Sequence, residues 1–386
     1  MKWDKCYKRK GIVIFLISII LSIGFTDVAY AQRDAAYADF TEQLEMDELD
    51  AFLEEQEMPM EEGLSFSSVV ERLLDGDGVF ETETLVQWLS EQGFRLMRRN
   101  RTDFAQLLVL LLTFAMLQGI ADICSDSLLS DITFLAVYFL LLYQSIRIFL
   151  TMQQLTESCM ERMGEFTLLV QPVFCMAMIF SQGVHSAGLT YELLLLVLYL
   201  IQIILQKLVF PFVFVYLLTQ FANYTWKEER FSGMAKLVES AILLVQKVLV
   251  TFVLGMNVIQ GLVAPSVDQL KKTATVRTLG ALPGIGGAMN AMSETLLGTG
   301  MLIKNCVGGA ILVAMTVMCT LPLLEIAVPV CLCKVLAAVT EPVVDKRVCG
   351  ALQALARAGM LYIKLIITAV LMLFLTVAIV CVATGN

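Results

Sequence analysis

Eight apolar runs, each close to the ~20 residues a helix needs to cross a bilayer, limit what this chain can fold into. They lie at 104–123, 132–150, 166–186, 191–218, 241–263, 306–321, 323–339 and 361–382. In lipid a backbone must satisfy its own hydrogen bonds, so such runs become helices and not open sheet. The expected fold class is all-α: a polytopic bundle of membrane helices with about six to eight spans. The 386 residues are only 16% charged, with a mean hydropathy of +0.76. A soluble protein carries roughly a quarter charged residues.

Two places strain the count. The fourth run carries Lys207 and Pro211, and proline breaks the helical ladder, so a kink or break is expected there. The sixth and seventh runs are short and separated only by Pro322, which reads as two crossings or as a re-entrant hairpin.

The first 31 residues have the layout of a secretory signal peptide. Lys2, Lys5, Lys8, Arg9 and Lys10 precede an apolar stretch, and Ala29-Tyr30-Ala31 forms a small-x-small cleavage site. Residues 32–65 then carry twelve carboxylates against one basic residue. Such a segment reads as an acidic, poorly ordered extracytoplasmic lead. Phe40, Leu44, Leu49, Phe52 and Leu53 give it some amphipathic helical character. It could fold as a docking strip for a basic partner.

An amphipathic helical region follows at 66–103. A short helix is predicted from Phe66, with Ser68 and Glu71 in capping-box spacing. After the Asp75–Gly78 turn, a second helix has Leu85, Trp88 and Leu89 on one side and ends in Arg95, Arg98, Arg99 and Arg101. A cleaved signal would leave these arginines outside, whereas the positive-inside rule would place them in the cytoplasm. The basic stretches at 227–236, 271–277 and 346–357 do not collect on one side in simple alternation either. One span boundary or the cleavage expectation must therefore give way.

Between the membrane helices of 104–264 and those of 306–386 lies a polar, glycine-rich stretch at 265–305. Gly280, Pro283, Gly284, Gly286 and Gly287 fall within eight residues. Glycine opens backbone angles closed to other residues, and proline stops a helix. A shaped loop or broken helix is expected, with Gly280 and Gly284 in the small-x-x-x-small spacing that allows close approach.

Enzyme chemistry finds little to work with. GALPGIGG lacks the lysine and hydroxyl residue of a phosphate loop and follows no strand. No G-x-S-x-G or H-E-x-x-H occurs, and His185 is the single histidine. The ten cysteines form no C-x-x-C and read as packing residues. No catalytic, metal or cofactor residue is expected, and no basic–aromatic surface suggests nucleic acid. Arg147, Lys207, Glu239, Lys247 and Lys364 fall near or within spans, where a charge faces a partner or a water-filled cavity; for Lys207, Lys247 and Lys364 snorkelling to the interface is the alternative. Glu325, in LPLLEIAVP between Pro322 and Pro329, reads either as a carboxylate in an interfacial turn or, with Lys334, as a polar site on a broken helix.

The runs VDQLKKTA (Val267–Ala274), GALPGIGGAMNAMSETLLG (Gly280–Gly298), LIKNCVGG (Leu302–Gly309) and EPVVDKR (Glu341–Arg347) resemble the stage III sporulation AE family of endospore-forming bacteria. Signal, acidic lead and polytopic core match in outline, so the resemblance covers nearly the whole chain. It implies a multi-pass protein of the mother-cell membrane around the forespore, with an extracytoplasmic N-terminal segment. It also implies membership of a hetero-oligomeric transenvelope channel or feeding complex, needed for late forespore gene expression and spore formation. The implied partners are the other stage III operon proteins and, through them, a forespore membrane protein, alongside membrane lipid. The family offers no catalytic residues. Its signature places assembly candidates at Asp268, Gly280, Pro283, Gly284, Gly286, Gly287, Glu294, Lys304, Asn305, Gly308, Gly309, Glu341, Pro342 and Asp345. The competing reading is a self-contained solute transporter built around Glu325 and Lys334; a third is a passive anchor.

Overall fold

The computed structural model describes residues 46–55, 65–75, 82–124, 127–182, 187–225, 231–279, 286–342 and 344–383. The expected signal peptide lies outside them. Every regular element among the described residues is a helix: α1 (Asp47–Glu55), α2 (Phe66–Asp75), α3 (Thr82–Cys124), α4 (Ser127–Gln182), α5 (Ala187–Ile204), a π-turn (Leu205–Val209), α6 (Phe210–Thr225), α7 (Ser232–Leu279), α8 (Gly286–Thr340) and α9 (Lys346–Ala383). Among the described residues six stretches are long and apolar enough to cross a membrane: one each in α3, α4, α7, α8 and α9, and one continuous through α5, the π-turn and α6. The all-α polytopic bundle expected from the apolar runs is therefore what forms.

The run at 132–150 and residues 166–182 of the run at 166–186, expected as separate spans, belong to one helix of 56 residues. At 1.5 Å per residue α4 is about 84 Å long, well over twice a ~30 Å hydrocarbon core. The reason lies in the intervening TMQQLTESCMERMGE, which is polar yet free of proline and rich in good helix formers. Thr156 also folds back within the helix, its Oγ1 donating to the Met152 carbonyl at 2.7 Å.

The second correction concerns Pro322. Neither a hairpin nor a pair of crossings forms there, because α8 continues through both Pro322 and Pro329. Packing against neighbours lets a membrane helix tolerate the lost ladder bonds, and Ile311, Val313, Met315, Cys319, Ile326, Val330 and Cys333 of α8 are all buried. Glu325 consequently stands on a continuous helix and not in an interfacial turn. At Pro211 the expected distortion does occur. The ring has no N–H for the Lys207 carbonyl, and the chain widens one turn earlier, with the Phe210 N–H reaching the Leu205 oxygen.

The amphipathic segment ending in four arginines is continuous with the first span as α3. Within the acidic lead, residues 47–55 are not loose but form α1, with Leu49 and Leu53 buried and Phe52 stacked on Phe166 of α4 at 6.2 Å between ring centroids. The N-cap of α2 is Ser65 and not Ser68: its Oγ accepts from the Ser68 N–H at 3.1 Å. Asp50 of α1 accepts from the Ser67 N–H at 3.1 Å and from the Ser67 hydroxyl, so one carboxylate of the acidic lead holds the start of α2.

Helices α4, α8 and α9 form the centre. Phe149 of α4 stacks on Tyr362 of α9 and Phe214 of α6, and Phe210 completes the group. Lower on α4, the Tyr138 hydroxyl donates to the Phe221 carbonyl at 2.9 Å. Two glycines bring α9 close. A Cβ at Gly350 would lie 2.4 Å from the Tyr224 ring, and one at Gly359 would lie 2.4 Å from Val330 and 2.8 Å from the Met152 sulfur.

Candidate functional site

A polar cluster lies where α3, α4 and α8 meet, at the level where α4 turns from apolar to polar sequence. Arg99 of α3 donates through Nη1 to Glu325 Oε1 of α8 at 3.1 Å. One turn on, Asp103 accepts from Gln144 Nε2 of α4 at 3.4 Å, and the same amide donates to Gln106 Oε1 at 3.2 Å. The Thr151 hydroxyl donates to the Arg147 carbonyl at 3.2 Å. Arg99, Asn100, Asp103, Thr151, Glu325 and Pro329 line a cavity of about 30 Å³. Pro329 has no N–H, so the Glu325 carbonyl four residues earlier lacks its helical donor. Chemically the cluster can hold a water or two and can tie α3 to α8 by charge. Its cavity is an order of magnitude below a small-molecule site of roughly 300–1,000 Å³.

Lys334 does not join Glu325. It lies nine residues further along α8, about 13 Å down the axis and on the opposite side of the helix. Among the described residues no three His, Cys, Asp or Glu side chains cluster as metal ligands.

The signature residues fall into two structural groups. In LIKNCVGG, Lys304 is completely buried and its Nζ donates to the Cys381 carbonyl at 3.1 Å. That carbonyl belongs to the last turn of α9, where a positive charge opposes the negative end of the helix dipole. One turn on, a Cβ at Gly308 would meet the Cys381 Sγ at 2.6 Å and Val377 at 3.3 Å. Gly309 faces a different neighbour, with Leu73 of α2 at 3.2 Å from such a Cβ. Asn305 is half-buried on the same helix. This signature run therefore seats both the end of α9 and the second lead helix.

The second group shapes the α8–α9 hairpin. The Glu341 N–H closes the last turn of α8 on Ala337 at 3.1 Å, and Pro342 prevents its continuation. Asp345 caps α9, its Oδ1 accepting from the Arg347 N–H at 2.8 Å. The Arg347 guanidinium returns to Asp345 Oδ2 at 3.3 Å and lies 3.5 Å from the centre of the Phe134 ring.

The remaining signature positions flank the connection between α7 and α8. Asp268 is on α7, and Gly286, Gly287 and Glu294 are on α8, but their side-chain surroundings lie outside the described part. Gly280, Pro283 and Gly284 lie outside the described residues altogether.

Sequence reasoning missed Arg99 as the partner of Glu325, and the Arg357–Glu239 pair joining α9 to α7 at 3.6 Å. It also missed Gly350 and Gly359. Their signal was present, because residues 350–359 read GALQALARAG, with glycine or alanine at most buried positions and leucine at 352 and 355.

The profile of the family described as Stage III sporulation protein AE matches residues 64–384. The chain is also 20% identical over 314 residues to the stage III sporulation protein AE of Bacillus subtilis (strain 168), an alignment covering 81% of this chain and 78% of that protein. No solved structure matches the chain.

Proposed function

This chain belongs to the stage III sporulation protein AE family, and from that premise we propose that it is a membrane subunit of a transenvelope channel or feeding complex between mother cell and forespore. In this reading it sits in the mother-cell membrane around the forespore with its lead outside the cytoplasm. It assembles with the other stage III operon products and, through them, with a forespore membrane protein. Its work sustains late forespore gene expression and spore formation. It acts as scaffold or pore lining and not as an enzyme.

The observation that carries the reading is the seat of the lead on the membrane body. Leu49, Leu53, Phe66 and Val70 of α1 and α2 are buried in the same core as α4 and α8. Leu73 touches the signature at Gly309. A lead built into the bundle offers partners a fixed platform, and the proposed close-contact surface is Pro283 to Gly287 with Gly308 and Gly309. The rival, a self-contained carrier, would draw on Glu325 and Lys334 together, and they occupy opposite sides of α8.

The test is to recover tagged full-length protein from detergent-solubilised sporulating cells. The other operon products should accompany it. Gly284→Leu with Gly286→Leu should abolish their recovery while membrane insertion stays normal. A protein recovered alone and monodisperse, or unaltered partners with the double variant, sinks the reading; solute flux in liposomes would then examine the rival.

A further inference from the structure

The arginine cluster at the head of the first span has a geometry that the complex-subunit reading does not use. Of its four arginines Arg99 pairs with Glu325 while staying largely exposed. Arg95, Arg98 and Arg101 are exposed, and among the described residues none of them makes an ion pair. Below them, the same helix leaves Val109 60%, Leu112 51% and Met116 72% exposed.

These two features share one face. Arg98 stands about five helical turns from Met116 and about three from Val109, and Arg101 about three from Leu112. Each pair therefore points the same way from the helix axis. Along the helix axis Arg101 lies roughly 10 Å before Leu108, where the exposed apolar stripe begins, Arg98 about 15 Å and Arg95 about 20 Å. The headgroup layer reaches roughly 5–8 Å beyond the hydrocarbon on each side, so Arg101 lies nearest to it and the other two stand over its outer surface. Arg147 of α4 is exposed at the same level along the bundle, between Gln144, which bonds to Asp103, and Thr151, which lines the cavity beside Arg99. Phe94 and Met97, 69% and 52% exposed, sit among the arginines. A soluble anion would gain nothing from those two side chains, whereas a bilayer interface would.

We propose that Arg95, Arg98, Arg101 and Arg147 form a binding surface for the phosphodiester headgroups of acidic phospholipids, with the apolar stripe of α3 against the acyl chains. Guanidinium suits phosphate, offering paired donors in one plane. Clustered basic residues beside a membrane span attract anionic lipid. The surface fixes how deep α3 sits, because the arginines hold one end of a helix whose apolar face has little protein cover.

The test uses the full-length protein in phosphatidylcholine nanodiscs and measures the relative association of spin-labelled phosphatidylglycerol and phosphatidylcholine. The natural chain should prefer phosphatidylglycerol. The triple variant Arg95→Gln, Arg98→Gln, Arg101→Gln should lose that preference by on the order of a hundredfold. The corresponding triple lysine variant should keep most of it, and the single Arg98→Gln variant should show a partial loss should the triple change impair folding. No preference in the natural chain, an undiminished preference in the glutamine variants, or abolition by excess inorganic phosphate, which marks a soluble-anion site, would each overturn the proposal.

Discussion

Of the most apolar stretch of α9, 56% is buried, against 17% for that of α3, although each is long enough to cross a bilayer. The two helices differ in what they turn to their neighbours. Ahead of its most apolar stretch α9 carries Gly350, Ala351, Ala354, Ala356, Ala358 and Gly359, and every one of these alanines is buried. α3 carries leucine, valine and methionine on an uncovered side. Lipid tails are as apolar as leucine, so apolarity alone gives neighbouring helices no reason to associate. Backbone approach through small residues does. α9 is therefore fixed by shape, and α3 by one narrow buried side at Leu107, Leu111 and Phe114, to which the exposed Arg99–Glu325 pair adds little.

The sharpest way to break this contrast is Gly359→Leu. Val330 is β-branched and cannot swing aside, so the overfilled contact should cost about 3 kcal/mol. Thermal unfolding of the detergent-purified protein reads it, and an unchanged Tm would mean that α9 is not held by shape. Next comes Lys304→Ala, which removes a donor to the Cys381 carbonyl and leaves a hole, for about 2–3 kcal/mol in the same measurement. Lys304→Met should restore most of that loss, because apolar replacement of a buried charge is often well tolerated. If both variants lose equally, the ammonium itself matters and not the volume.

On α3 the effects should shrink. Glu325→Gln breaks a pair whose arginine is 64% exposed, and should cost less than about 1 kcal/mol. A double-mutant cycle with Arg99→Gln measures the coupling, and a much larger value would place the attachment of α3 in that pair. Met116→Ser should stay within about 0.5 kcal/mol in detergent. A large loss there would reveal that protein, and not lipid or detergent, covers the stripe.

The apolar runs announced the helices because crossing lipid leaves the backbone little choice. Their joining was harder to see. The stretch 151–165 is polar enough to resemble a loop, yet every residue in it can continue a helix. Pro322 resembles a break, and the packing that holds α8 straight comes from residues far away in the chain. The candidate site was half legible. Glu325 stood out as a carboxylate in an apolar run, but its partner Arg99 is 226 residues distant, and nothing local encodes such a pairing. The signature was visible as a glycine pattern, while the roles of Gly308 and Gly309 depend on Cys381 and Leu73, which only the fold brings near.

The seat of the lead helices also has a consequence for biogenesis. Leu73 emerges early in synthesis, but its contact Gly309 lies far downstream. At about 5–20 residues per second, a ribosome needs roughly 12–50 s to span that interval. Through that time the apolar sides of α1 and α2 wait without their final neighbours, so a holding chaperone or the bilayer surface must keep them from aggregating. The lead is thus made early and placed late.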